Sequence, residues 1–248
     1  MKVDWIAPGQ ALASRVQVRT TLRTGGVSTG HYAGLNLATH VGDDPDAVAE
    51  NRRRLQQALG LPATPVWLHQ VHGTRVIVAP DRAGDTPAMA DAAITRVAGQ
   101  VLAVLTADCL PVVLATRDGR ALGIAHAGWR GLAAGVLDAT LQALAVPPGE
   151  VVAWIGPGIG AARYEVDSVV RTAFAAAAGA ERAFVPARDT AHWYCDLSAL
   201  VQARLQALGV RTVQHSGCCT YSDSARFYSW RRDGETGRMV TLAWIAEQ

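Results

Sequence analysis

The sequence predicts one α/β domain built on mixed sheet, and three observations carry that prediction. Short apolar runs alternate along the chain with longer amphipathic stretches. Neighbouring runs are joined in some places by turn signals and in others by helical segments, which calls for both antiparallel and parallel pairing. The chain has 248 residues, half of them hydrophobic, with no repeat, low-complexity linker or shift in composition. A single domain over residues 1–248 is therefore the economical expectation.

The elements follow in order. Arg15 to Thr20 alternates apolar and polar residues, as a half-buried strand does. The tight loop Arg23-Thr24-Gly25-Gly26-Val27-Ser28 comes next. Asp46 to Gly60 is helical: Pro45 precedes it, Val48, Leu55 and Leu59 share a face, and Gly60 ends it. Val66 to Leu68 and Thr74 to Ala79 read as strands flanking a turn at His72-Gly73. Val101 to Thr106 and Val112 to Thr116 are β-rich apolar runs, and Asp118-Gly119 is a hairpin signal before a third strand, Ala121 to Ala125. A helix from about Leu132 to Ala145 stops before Pro147-Pro148, and a strand at Val151 to Ile155 runs into the loop Gly156 to Gly160. Helices at Val166 to Ala178 and Leu197 to Leu208 precede a strand at Val210 to His215, with Gly209 as a helix stop. A last strand covers Met239 to Ile245.

Composition narrows the function. A net charge of +2 is too small to make nucleic acid or an anionic membrane the main partner. Met1 to Gln10 carries Lys2, Asp4 and Pro8 and lacks the apolar region of a signal peptide. The longest apolar stretch, Val101 to Ala115, is broken by Asp108 and Pro111, so no transmembrane helix is expected. The four cysteines, Cys109, Cys195, Cys218 and Cys219, form no disulfide framework. A cytoplasmic protein with free thiols is the expectation.

Chemistry concentrates in Gln70-Val71-His72-Gly73, Thr106-Ala107-Asp108-Cys109 and His126-Ala127-Gly128-Trp129-Arg130-Gly131. Two imidazoles and a thiolate are a ligand set for a borderline-soft metal such as zinc, and three protein ligands leave a catalytic position open. The same Cys109 and His126 also fit a nucleophile and its base. Pro111 lacks an N–H, which puts Cys109 at a sheet end rather than mid-sheet. Residue spacing leaves metal site and dyad open. Cys218 or Cys219 is available as a fourth ligand if the site is closed. Arg130, between Gly128 and Gly131, is the strongest candidate for an anion, with Arg23, Arg52, Arg231 and Arg232 as further donors. The stretch Phe227 to Asp233 is aromatic and basic and suits stacking on a base or sugar.

These segments together resemble the YfiH-type family, long labelled multicopper polyphenol oxidases or laccase-domain proteins. Beyond the three motifs, the resemblance rests on Arg23 to Ser28, Asn36-Leu37, His40 to Asp44, Asn51-Arg52, Ala90-Asp91-Ala92, Ile155-Gly156-Pro157, Tyr164-Glu165-Val166, Cys218-Cys219-Thr220, and Arg231-Arg232-Asp233 through Thr236-Gly237-Arg238. It spans nearly the whole chain. The resemblance implies a layered α/β/β/α fold, similar to the catalytic domain of cytotoxic necrotizing factor, and zinc on His72, Cys109 and His126, with copper as the alternative metal. It implies purine nucleoside phosphorolysis of adenosine, inosine and methylthioadenosine, together with adenosine deamination. The substrates are then a purine nucleoside and phosphate. Arg23, Asn36, Arg52, Arg130 and Arg231 become the expected substrate and anion ligands, and Cys109, His126 and Asp108 the catalytic residues, with Asp108 a candidate acid or an orienting group. Two alternatives attach to the same family: copper-dependent phenol oxidation, and a Cys109–His126 amidase that edits peptidoglycan precursors. A laccase cluster needs many histidines, whereas this chain has seven and no His-x-His pair.

Overall fold

The structure is a computed structural model that describes residues 2–80, 86–177, 179–189 and 191–247. Two sheets are stacked at its centre. A four-stranded antiparallel sheet has the order Trp5–Ile6, Val16–Thr21, Met239–Ile245, Val101–Thr106. A six-stranded sheet has the order Thr212–His215, Val151–Ile155, Leu110–Thr116, Leu122–Ala127, Ala92–Thr95, Val76–Val78. It is antiparallel in the middle and parallel at both margins, so it is mixed as the sequence indicates.

Side-chain alternation explains the layering. On Val101–Thr106, Leu102 and Val104 face the six-stranded sheet, where Val113, Ala115, Leu122, Ile124, Val152 and Trp154 meet them. The intervening Val101, Ala103 and Leu105 turn outward onto Leu35, Leu37 and Leu55, the last from helix Pro45–Leu59. On the six-stranded sheet, Val112, Leu114, Ala125, Ala153 and Ile155 face away from the sandwich, against Leu137, Leu141 and Leu144 of helix Val136–Leu144 and Leu200, Val201 and Leu205 of helix Leu197–Ala207. The result is a layered α/β/β/α fold. Central strands buried on both faces read as continuous apolar runs.

Several sequence expectations are met closely. Helix Pro45–Leu59 is N-capped by Asp44, and Gly60 ends it at φ 55. The Asp118-Gly119 turn joins Leu110–Thr116 to Leu122–Ala127, with Gly119 at φ 69. Others need correction. The helix expected at 132–145 starts earlier and breaks: Gly135 at φ 98 ends Trp129–Ala134 and begins Val136–Leu144. The helix expected at 166–178 begins with a strand, Glu165–Asp167, and its helical part is Ser168–Ala173, while Ala178 lies outside the described residues. Strand Glu165–Asp167 belongs to a small sheet with His192–Cys195 and Phe184–Pro186. Short strands do flank His72, each paired elsewhere: Leu68–His69 with Ala88–Met89, and Val76–Val78 with Ala92–Thr95.

Topology creates one corner between the two sheets. Thr106 ends a strand of the four-stranded sheet, Leu110 begins a strand of the six-stranded sheet, and Ala107-Asp108-Cys109 crosses between them.

Candidate metal centre

Register brings the donors to the same end of the sheet. Leu110 pairs with Ala127 and Pro111 with His126, so Cys109, just before one strand, lies beside the C-terminal end of the other. His72 arrives from a turn outside this hairpin. Its Nε2 lies 3.9 Å from Cys109 Sγ, and its ring meets His126 edge to face, with centroids 4.8 Å apart at 73°. One ligand atom each from His72, Cys109 and His126 lies within 4.8 Å of the other two.

The turn that carries His72 is fixed from both sheets. The Gln70 side-chain amide donates to Leu105 O and accepts from Leu105 N, both at 2.8 Å, as a strand neighbour would. The Asp91 carboxylate accepts from Val71 N at 3.1 Å, His72 N at 2.9 Å and Gly73 N at 2.7 Å. It also accepts from His126 Nδ1 at 2.9 Å, which leaves Nε2 of that ring to face Cys109 or an ion. Asp91 is fully buried and His126 is 3% exposed.

Asp108 holds the Cys109 side in the same manner. It accepts from Thr220 Oγ1 at 2.6 Å, Ser229 Oγ at 3.0 Å and Arg231 N at 2.7 Å. Its backbone stands at φ 91, and His72 at φ 59, conformations that a non-glycine residue keeps only when its surroundings enforce them. These bonds tie the corner to the segment from Thr220 to Arg231.

The donors also suit a metal electrostatically. Burial alone would raise the Cys109 thiol, but the His126 ring and hydrogen bonds from both histidines outweigh it and bring it down to about 6. Burial likewise opposes a charge on His126, yet the Cys109 thiolate and the Asp91 carboxylate raise it to about 9. Each partner thus favours the charged form of the other, a thiolate beside an imidazolium. Room for an ion comes from Gly128, where a Cβ would sit 2.9 Å from both Cys109 Sγ and His72 Cδ2. Two imidazoles, a thiolate and this gap fit a borderline-soft ion with an open coordination position.

The centre lies in a cleft of about 460 Å³. Arg130, Arg231 and Arg238 line it, with Trp129, Tyr164 and Trp230 as aromatic walls. Arg130 stacks on Trp129, with 4.4 Å from its guanidinium carbon to the ring centroid. Arg231 lies 5.0 Å from the Tyr164 ring and donates to Glu165 O. The other expected anion ligands do not line the cleft. Arg23 reaches the carbonyls of Ser224 and Ala33 beside Tyr228. Arg52 is stacked 3.9 Å from Trp67 and bound to Leu37 O, its pKa lowered by burial to about 10. Asn36 is buried among Asp43, Ala38 and the Arg238 amide. Cys218 and Cys219 stay out of the donor group and line a separate pocket. Asp91, Gln70 and Arg238 escaped sequence reasoning as site residues. The signal for Asp91 was a charged residue between alanines in an apolar segment, Ala90-Asp91-Ala92. A second three-donor group, Glu165, Asp189 and His192, sits on the surface beside a neighbouring groove.

Comparison with known proteins places the whole chain in one family. The family model described as multi-copper polyphenol oxidoreductase laccase matches residues 17–246. A protein of Pseudomonas aeruginosa named a purine nucleoside phosphorylase is 46% identical over 98% of this chain and 99% of its own. Purine nucleoside phosphorylase YfiH of Escherichia coli K12 is 43% identical over 97% and 98%. Among solved structures, a Neisseria meningitidis protein of family-model DUF152 superposes with a TM-score of 0.93 at 42% identity, covering 98% of this chain and 99% of that one. The Bacillus licheniformis hypothetical protein YfiH gives 0.86 at 28% identity, covering 93% and 92%. With its sequence matched almost end to end and its layered fold shared, the chain belongs to the multi-copper polyphenol oxidoreductase laccase family of YfiH-type proteins.

Proposed function

We propose that the chain is a zinc-dependent purine nucleoside phosphorylase acting on adenosine, inosine and methylthioadenosine, with adenosine deaminase activity in the same cleft, and that it works in the cytoplasm as a single domain. The observation that carries this reading is the His72–Cys109–His126 donor group opening into a cleft that also holds three arginines and three aromatic rings. The names of relatives at 43–46% identity support it. At about 460 Å³ the cleft is of the size that binds small ligands, which are held by apolar walls and a few placed polar groups.

In phosphorolysis a phosphate oxygen bonds to C1′ of the ribose as the C1′–N9 bond breaks. The electron pair leaves with the purine, which takes up the proton that phosphate gives up. Arg130, Arg231 and Arg238 hold the phosphate and offset its charge, and Trp129, Tyr164 and Trp230 flank the base. Zinc on His72, Cys109 and His126 would supply a Lewis acid with one open position. Asp108, with its oxygens already engaged, positions Cys109 rather than moving a proton. Copper-dependent phenol oxidation finds little support: among the described residues the second three-donor group contains a single histidine. The thiolate–imidazolium pair favours one rival, a thiol amidase in which Cys109 attacks and His126 acts as base.

Metal content of protein purified without added copper, combined with adenosine and inosine assays with and without phosphate, decides between them. The expected result is one zinc per chain and phosphate-dependent purine release, both lost in His72→Ala, Cys109→Ala and His126→Ala. Arg130→Ala should raise the KM for phosphate about tenfold, the loss of one charge-assisted contact. Activity that survives chelation but not Cys109→Ala would overturn the phosphorylase and favour the amidase.

A further inference from the structure

Asp91 lies outside the donor group, yet its carboxylate touches the supports of two donors. Oδ1 accepts from His72 N and His126 Nδ1, both at 2.9 Å. Oδ2 accepts from Val71 N at 3.1 Å and Gly73 N at 2.7 Å. Four donors thus converge on one fully buried carboxylate. The Asp91 main chain joins the same arrangement, its carbonyl accepting from His126 N at 2.7 Å.

We propose that Asp91 is a positioning residue that builds the metal centre from two distant segments at once, holding His126 with Nε2 turned to the ion and clamping the 71–73 turn so that His72 faces it. The inference rests on the metal reading of the preceding section. The clamp explains how His72 keeps φ 59: three consecutive N–H groups converge on one anion only when the backbone curls. It explains the choice of nitrogen as well. A carboxylate on Nδ1 keeps the proton there and turns Nε2 to the ion, and such partners commonly govern metal affinity.

The arrangement cannot be kept by an amide. Each carboxylate oxygen of Asp91 faces two donors, so in Asp91→Asn one pair meets an NH2 group in either orientation. If the NH2 faces His126, that ring accepts at Nδ1 and carries its proton on Nε2, where the ion should bind. If it faces Val71 and Gly73, the turn opens.

The test is zinc affinity of the full chain by competition with a chromophoric chelator, for wild type and Asp91→Asn, with melting of both in excess chelator as the check on folding. Asp91→Asn is expected to bind zinc about 10- to 100-fold more weakly while still melting cooperatively without metal. Equal affinities would overturn this proposal alone, and a wild-type chain that takes up no zinc would overturn the metal reading with it. A second measurement holds even where the variant does not fold. In wild-type protein loaded with cadmium-113, coupling to His126 Nε2 and a proton on Nδ1 are expected by nitrogen-15 NMR. Coupling to Nδ1 would refute the assignment.

Discussion

Two Asp–His pairs in this molecule have nearly the same local geometry and opposite surroundings. Asp91 and His126 meet at 2.9 Å with side chains 0% and 3% exposed; Asp189 and His192 meet at 2.9 Å with side chains 61% and 41% exposed. His126 belongs to one group of three side chains that could hold a metal, with Asp91 behind it, while Asp189 and His192 both belong to the other. Proximity alone therefore does not separate them. The first pair has both ends tied down: His126 lies in a central strand, one residue before its end, and Asp91 gathers three further N–H groups. The second sits at the start of a strand in a small sheet, and its aspartate also receives Ala191 N from its own turn. What distinguishes a site from a cluster is rigidity supplied by distant parts of the chain, which lowers the entropy lost when an ion organises its ligands.

The largest expected effect is the pH dependence of zinc affinity at the buried group. Zinc needs a thiolate and neutral imidazoles. In the free site the histidines draw the Cys109 thiol down, and the Cys109 and Asp91 charges hold His126 up, in each case against burial. Zinc must displace the His126 proton, so affinity should rise with pH through neutrality. The slope should steepen at acid pH, where Cys109 must deprotonate too, and level off at alkaline pH. Zinc competition titrations from pH 5.5 to 9.5 check this, and a flat profile would erase the distinction between the two groups.

Next in size is the Cys109 corner. Asp108→Ala leaves Thr220 Oγ1, Ser229 Oγ and Arg231 N without their acceptor at a residue that is 8% exposed, and alanine is a poor occupant of φ 91. Losing a buried hydrogen-bonded carboxylate of this kind costs about 2–4 kcal/mol. For a chain of this length that lowers the melting temperature by roughly 5–15 °C, measured by calorimetry. Zinc content should fall as well, since the residue that turns Cys109 towards the histidines is gone. A variant that melts with wild type would show that the crossing between sheets holds itself.

How much of this was readable in the sequence follows from the range of each interaction. Residue type and local punctuation marked His72, Cys109 and His126, and Pro111 placed Cys109 at a sheet end, because these signals lie within a few residues of the groups they describe. The continuous apolar runs exposed the central strands for the same reason. Strand Glu165–Asp167 was hidden because it is short and exposed at both ends, with only Val166 buried. Arg23 and Arg52 looked like anion ligands, as arginines beside glycine or asparagine do. Their actual partners are carbonyls 10 and 15 residues or more away, which no local pattern encodes. Asp91 lies 18 to 20 residues from the turn it clamps and 35 from His126. Its role depends on register, which the motif Ala90-Asp91-Ala92 cannot supply.

The smallest effect is expected at the exposed group, and it sharpens the comparison most directly. The hydrogen bond between them lowers the pKa of Asp189 and raises that of His192, which favours the charged form of both. That charge lies in water, where counterions screen it and side-chain freedom is lost on pairing; exposed pairs of this kind add little to stability. Nor is any ligand atom of Glu165, Asp189 or His192 presented from a buried residue. His192→Ala should therefore leave zinc stoichiometry at its wild-type value and the melting temperature unchanged, with or without chelator. Elemental analysis alongside calorimetry measures both. A lost zinc equivalent in His192→Ala would mean that three loosely held donors suffice, and that the clamps around His72, Cys109 and His126 serve something other than the metal.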